Sequence, residues 1–348
     1  MSNKYRPRMT KKDHELWQML KNNREIMDQL SGLQQEAMKA GIPVSDIKHY
    51  WYKTKKYSIF AKRQGMTYEE VKDELIEQMK EYAPEYPTFQ YQKEDGHLLV
   101  IDPSDIHIGK LAVAAETGED YNIEKAVNRT IEGIEGILQK AQGFEIDEIL
   151  FIIGNDALHI DTPKGTTTSG TKVETDGLWH EAFLSAKDMY VKCIEALMTV
   201  AKTHVLYCPS NHDYMSGFFL ADVLKTWFRN SPVTFDVSIN HRKYYQYHLN
   251  MIEADHGDGV KADKTPLIMA AEQPKMWADS TFRYSYKHHL HHRISKDFTG
   301  VNLTVLRSPS DPDGWHHRNG FLNTPAVEGF VHHPFKGRVA QLTHYFVK

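Results

Sequence analysis

Three short apolar runs do most to limit what this chain can fold into: HLLVID (97–102), EILFIIG (148–154) and HVLYCP (204–209). Each is bounded by turn residues and carries no alternating polar face, the pattern of a strand buried on both sides. Helical spacing fills the gaps between them. Ile123, Val127, Ile131, Ile134 and Leu138 recur at intervals of three and four, and so do Ala182, Ala186, Met189, Cys193, Leu197 and Val200. Strand–helix alternation predicts a layered α/β body. From about residue 233 strands dominate, with VTFDV, KYYQYHL, MIEA, FRYSY, NLTVL and AVEGFV in succession. No internal repeat and no low-complexity tract interrupts the series.

The strands end in residues suited to chemistry. After the first run come Asp105 and His107; after the second, Asp156, His159 and Asp161; after the third, Asn211, His212 and Asp213. MIEA is succeeded by His256, and FRYSY by KHHLHHR (287–293), with His289 and His291. In open α/β sheets the carboxyl ends of strands form the ligand crevice, so these groups are expected to converge. Asp, Asn and His without thiolate suit borderline-hard divalent cations such as Mn²⁺, Fe or Zn²⁺. One carboxylate shared by two cations is the arrangement that serves phosphate ester hydrolysis. A single D-x-H or H-x-H is weak; five such signals in order are not.

Composition sets outer bounds. The 348 residues suggest one large domain and an accessory one. No apolar run reaches membrane-spanning length and the polar N-terminus has no signal-peptide core, so a cytoplasmic location is expected. Cys193 and Cys208 sit in apolar contexts and read as buried free thiols. Charge is uneven. Residues 1–80 hold 16 Lys and Arg against 11 Asp and Glu, a net +5, and the remainder carries −9.

That basic segment (1–81) reads as a small helical domain. A helix is expected over 10–40, a second opened by Ser45, and a third capped by Thr67 with Glu70. Three short helices in this setting resemble a helix-turn-helix. Within it, YWYKTKKYSIFAKR (50–63) interleaves Trp51 and Tyr57 with Lys53, Lys55, Lys56, Lys62 and Arg63. Aromatics among cations suit phosphate contact and base stacking, so these are the candidate nucleic-acid contacts, with DNA the expected partner. Residues 82–96, rich in Pro, Tyr, Gln and Glu, read as a linker, and 97–348 as the catalytic domain.

The order D-x-H, G-(N)-D, N-H-D, H, H-x-H resembles the calcineurin-like metallophosphoesterase superfamily over about residues 97–295. Within it the chain resembles the phage-encoded branch and, more distantly, nucleases of the Mre11/SbcD type. The resemblance implies a four-layered α-β-β-α sandwich and two divalent cations, Mn²⁺ first, with Mg²⁺, Fe or Zn²⁺ as alternatives. It implies that Asp105, His107 and His291 hold one cation, that Asn211, His256 and His289 hold the other, and that Asp156 bridges them. A hydroxide between the cations would attack phosphorus, with His212 assisting the leaving group. Asp213, next in sequence, and His159, three residues after Asp156, join His212 as catalytic candidates. Nucleases of this kind often dimerise, so a homodimer is a partner to test.

Three positions depart from the family pattern. Asn155 stands between Gly154 and Asp156; Ser210 and His288 replace glycines. Asp156 is still the expected bridge, because an amide is a poor one. Lost glycines bear on local backbone geometry more than on ligand identity. Around the site, Lys110 is a candidate phosphate contact. The polar loop 161–177 is a candidate substrate lip with Lys164 and Lys172, and DPDGWHHRNGF (311–321) reads as a capped turn or a stacking platform. The expectation is a two-metal phosphodiesterase, a phage-type DNA exo- or endonuclease. A small-molecule phosphomonoesterase or nucleotide phosphodiesterase and a DNA-binding protein with a vestigial metal site remain open.

Overall fold

The computed structural model describes the side chains and backbone of most of 68–81, 84–89, 91 and 96–346, together with the backbone of two strands near residues 49 and 58. The chain divides into two compact units, residues 1–67 and 68–348. In the first, β1 (His49–Lys53) and β2 (Ser58–Lys62) form an antiparallel hairpin with His49 opposite Lys62. This replaces a helix where Ser45 was expected to start one. The stretch is dense in Tyr, Trp, Ile and Phe, whose side chains favour a pleated surface. Trp51, Lys53 and Lys62 lie on these strands. Lys55, Lys56, Tyr57, Arg63 and the helix expected over 10–40 lie outside the described residues.

The second unit opens with α1 (Tyr68–Glu81), which the expected boundary at 81 would have cut away. Val71 is buried, Leu75 packs against the main core, and the Lys187 ammonium donates to Gln78 Oε1 at 2.5 Å. The expected linker is also seated. Tyr86 stacks on Phe228 with ring centroids 5.4 Å apart and donates to Glu195 at 3.0 Å, and Tyr91 donates to the Met198 carbonyl at 2.9 Å.

Next come β3 (His97–Asp102), α2 (Ala114–Thr117), α3 (Ile123–Ala141), β4 (Ile146–Gly154), α4 (Trp179–Val200), β5 (Lys202–Cys208), α5 (Tyr214–Trp227) and β6 (Thr234–Asp236). The second half adds β7 (Lys243–Tyr247), β8 (Asn250–Ala254), α6 (Thr265–Glu272), α7 (Pro274–Asp279), β9 (Phe282–Lys287), β10 (Ile294–Phe298), β11 (Val301–Val305), α8 (Gly314–Arg318), β12 (Ala326–His333) and β13 (Gly337–Tyr345). One sheet runs β13-β12-β3-β4-β5-β6, parallel from β3 to β6; the other runs β10-β11-β9-β8-β7.

Strand periodicity explains the layers. In β3, Leu99 and Ile101 join Phe151, Val205 and residues of α3–α5 in one core, while Leu98 and Val100 face Ile252, Tyr284 and Tyr286 of the second sheet in another. Met251 and Val301 meet Met269 and Trp277 of α6 and α7 in a third. Helices, sheet, sheet and helices therefore stack in the expected α-β-β-α order. Cys193 and Cys208 are both free and buried. No described helix is long and apolar enough to cross a membrane.

Candidate metal centre

The motif residues sit in the loops leaving β3, β4, β5, β8 and β9. Their backbone is unusual. Seven described non-glycine residues have a left-handed φ, and six are here: Asp105 (53°), His107 (52°), Asn155 (51°), Asp156 (60°), His289 (71°) and His291 (56°). Each such residue costs roughly 1–3 kcal/mol and persists only where its surroundings over-determine it. Backbone hydrogen bonds do so. Asp105 N–H donates to Asn155 O at 2.7 Å, His107 N–H to Asp156 O at 2.9 Å, and Asn155 N–H to Cys208 O at 3.0 Å. Gly154 has φ +85°, and a Cβ there would lie 2.3 Å from the Cys208 carbonyl. The loops of three neighbouring parallel strands are thus laced together.

The side chains converge as two groups around one carboxylate. His291 Nε2 lies 3.2 Å from His107 Nε2 and 3.4 Å from Asp105 Oδ1. His256 Nε2 lies 2.7 Å from Asn211 Oδ1 and 3.2 Å from His289 Nδ1. Asp156 Oδ2 stands between, 3.2 Å from His256 Nε2 and 4.0 Å from His107 Nε2. All seven expected ligands are in this cluster, and the sets Asp105–His107–His291 and Asp156–His256–His289 each have the spacing to hold a cation. The donors fit one chemically. Asp105 Oδ1 is buried with no hydrogen-bond donor, a costly state that a cation would relieve.

Protonation agrees for most of the set. Burial, then the neighbouring His212, holds His107 well below the ordinary imidazole pKa; burial and His256 lower His289. Neutral imidazole is the form that binds metal. His256 differs: burial would lower it, but the Asp156 carboxylate raises it to about 9. A cation at Asp156 competes for that proton.

His159 and His212 line the same cluster. His159 Nδ1 lies 3.3 Å from His107 Nδ1, leaving His107 Nε2 toward the cluster. His212 Nδ1 donates to the His159 carbonyl at 2.9 Å, since a carbonyl can only accept, so its Nε2 is free. The ring packs 4.7 Å from that of His107. Asp213 does not reach His212. It is fully buried, its Oδ2 accepts from Leu158 N–H at 2.8 Å, and its Oδ1 accepts from Ser210 Oγ at 2.6 Å. Asp213 braces the loops after β4 and β5. The Ser210 Oγ also accepts from Asp156 N–H at 2.7 Å. His212 N–H holds Asp156 Oδ1 at 3.0 Å, which leaves Oδ2 to the cluster.

The stretch 287–293 separates into distinct roles. His289 and His291 share a face through two left-handed residues. His289 N–H donates to Asp105 Oδ2 at 3.1 Å. His288 turns inward. Its Nδ1 donates to the Asp255 carbonyl at 2.8 Å, and its Nε2 lies 2.9 Å from Asp102 Oδ2, both side chains fully buried. Burial would lower the His288 pKa, and the Asp102 carboxylate more than offsets this, leaving it raised. His288 therefore ties the end of β9 to the end of β3, under the cluster. His292 is half-buried and bonds only the Leu290 carbonyl.

Lys110 is 1% exposed and donates to Ser310 Oγ at 2.9 Å, so it faces the interior and not a phosphate. The 161–177 loop is folded by bridges between Thr162, Thr166 and Lys172; Lys164 and Lys172 are exposed. Asp161 caps α5, accepting from Met215 and Ser216 N–H at 3.2 and 2.7 Å. Sequence reasoning missed Asp102, although an acid closing a fully apolar strand was a signal that a buried partner existed. His316, within the 311–321 segment read as a capped turn or a stacking platform, has its ring parallel to that of His291, 5.1 Å away.

No family model and no curated protein matches the chain. Solved structures overlap it weakly. Vps29 complexed with Zn²⁺ from Entamoeba histolytica shares 13% identity over 72% of this chain and 99% of its own, at a TM-score of 0.30. A predicted phosphoesterase from Streptococcus pneumoniae shares 10% over 74% and 100%, at 0.28. A protein assigned as a 5′-nucleotidase from Staphylococcus aureus shares 8% over 72% and 55%, at 0.35. Overlap at these values does not establish a common fold.

Proposed function

We propose that the chain is a metal-dependent phosphoesterase of the calcineurin-like class that hydrolyses phosphodiester bonds in nucleic acid. The observation that carries the reading is the convergence of six oxygen and imidazole donors, from four other strand ends, around Asp156, whose Oδ2 lies 3.2 Å from His256 and 4.0 Å from His107. Asp105, His107 and His291 would hold one divalent cation, and Asn211, His256 and His289 the other, with Asp156 common to both; Mn²⁺ is the first choice. Such cations, when bound, supply Lewis-acid charge at phosphorus and make water acidic enough to react near neutral pH.

The chain's own residues do the rest. Asp156 Oδ1 and Asp105 Oδ2 are each occupied by a backbone N–H, so the carboxylates cannot rotate out of the cluster. His159 fixes both His107 and His212. His212, whose Nδ1–H donates to the His159 carbonyl, presents Nε2 outward, and in its imidazolium form it would give the Nε2 proton to the departing ester oxygen as the P–O bond breaks, returning to neutral imidazole.

Nucleic acid is assigned on the net +5 of residues 1–80 and the aromatic–cation interleaving of 50–63. Purified full-length protein with Mn²⁺ is expected to cut bis-p-nitrophenyl phosphate and linear DNA, and Asp156→Asn to cut neither. Turnover of the chromogenic ester with no DNA cleavage would leave a small-molecule phosphoesterase and end the nuclease reading. No turnover of either, with no bound metal by elemental analysis, would end both.

A further inference from the structure

Beside the metal cluster, α8 and the turn after it expose an apolar surface that the hydrolytic machinery does not use. Trp315 is 63% exposed, Phe321 46% and Leu322 67%. The Trp315 and Phe321 rings stack on each other, centroids 5.5 Å apart and 25° from parallel. An isolated exposed apolar residue needs no explanation, but a contiguous exposed patch on a soluble surface marks a binding site. This patch is not a loose flap. The segment beneath it is pinned by Arg129 to the Asp311 carboxylate (2.9 Å) and the Pro309 carbonyl (2.9 Å), by Lys125 to Asp311 (2.8 Å), and by Lys110 to Ser310. Asp313 then caps α8, accepting from His316 N–H at 3.0 Å and from His316 Nδ1 at 2.7 Å.

The patch is continuous with the site. His316 is locked by Asp313, lies parallel to the candidate ligand His291 at 5.1 Å, and meets the Trp315 ring edge-on at 5.1 Å. Trp315 is therefore two ring contacts from a metal ligand. Arg318 in the last turn of α8 is an exposed cation on the same element, with the exposed His317 ring beside it. An exposed aromatic ring, a rigid support, nearby positive charge and the candidate metal cluster within two ring contacts together describe a stacking site for a base attached to a phosphate at that cluster.

We propose that Trp315, backed by Phe321, is the stacking platform for a nucleobase of the substrate, so that the enzyme selects phosphodiesters carrying a planar base next to the bond it breaks. This rests on the phosphoesterase reading of the same site and adds the substrate feature that is recognised. A protein partner on this patch is the competing use, and turnover separates the two.

The test compares steady-state hydrolysis of thymidylyl-thymidine with that of an analogue lacking both bases, using full-length protein and Mn²⁺, with products tracked by mass spectrometry. Trp315→Ala is expected to raise KM for the dinucleotide about tenfold with kcat nearly unchanged, and to leave the abasic analogue unaffected. Trp315→Phe is expected to restore most of the loss, and Phe321→Ala to give a smaller increase of the same kind. Equal changes on both substrates would mean a general structural effect, and no change on either would mean the patch serves something else; each overturns the proposal. Should the wild-type protein turn over neither substrate, the phosphoesterase reading fails separately. The platform is then judged by fluorescence anisotropy with a short oligothymidylate: about tenfold weaker binding by Trp315→Ala supports it, and unchanged affinity refutes it.

Discussion

The two halves of the metal cluster are built differently. Asp105, His107 and Asp156 leave neighbouring parallel strands of the six-stranded sheet, and their loops are hydrogen-bonded to one another through the backbone. His256, His289 and His291 come from the second sheet, where one bend places two ligands and His289 is exposed. The first half is held by its own sheet. The second has one such backbone tie, His288 N–H to His256 O at 3.2 Å, and is held besides by the His288 side chain reaching across to Asp102. The two sides are thus braced in different ways: Ser210 holds Asp156 locally, and His288 bridges two sheets.

That contrast can be broken experimentally. The largest effect is expected at the carboxylate both halves share. Asp156→Asn should reduce hydrolysis by at least about 100-fold and lower bound metal, measured by turnover and elemental analysis. Next is the bridge. His288→Ala leaves Asp102 buried and unpaired and should cost about 3–5 kcal/mol in urea unfolding. Asp102→Asn combined with it should recover part of that loss, because no uncompensated charge remains; no recovery would show that the contact is not a charge pair.

The local brace should matter less. Ser210→Gly frees the backbone yet removes the donor to Asp213 and the acceptor for Asp156 N–H, and about 1–3 kcal/mol of stability is expected to go. A gain in stability would mean that backbone freedom at this position outweighs both bonds. The smallest effect concerns a histidine of the sheet interface. Burial, then Arg338, lowers the His332 pKa to about 3. The unfolded chain therefore binds a proton that the folded chain refuses between about pH 6.5 and 3, and this group's contribution to stability is lost as pH falls through that window. The slope is up to about 1.4 kcal/mol per unit, and His332→Gln should flatten it in unfolding curves taken from pH 7 to 5.

Much of the body was legible in the chain. The three apolar runs are β3, β4 and β5, and the periodic segments are α3 and α4, because burial on fixed faces imposes spacing on sequence. β10 and β13 were not anticipated. In β10, ISKDF carries little apolar signal, and four of its five residues are exposed. The Ser45 helix misled because basic, polar flanks suggested helix while the aromatic run between them paired as a hairpin. The adjacency of Asp213 to His212 says nothing about direction; its carboxylate turns back to Leu158.

By itself, the sequence determined the alternation of layers and the list of donors, since both are written in residue type and local period. Only the tertiary structure decided how the donors meet. Which oxygen of Asp156 faces the cluster, why Ser210 is tolerated, and what His288 does all depend on partners between about 50 and 190 residues away in the chain. The left-handed backbone at His289 and His291 depends likewise on hydrogen bonds from other strands. Local propensity cannot encode such contacts, because the energy that holds a strained residue comes from groups that are neighbours only after the sheets have packed.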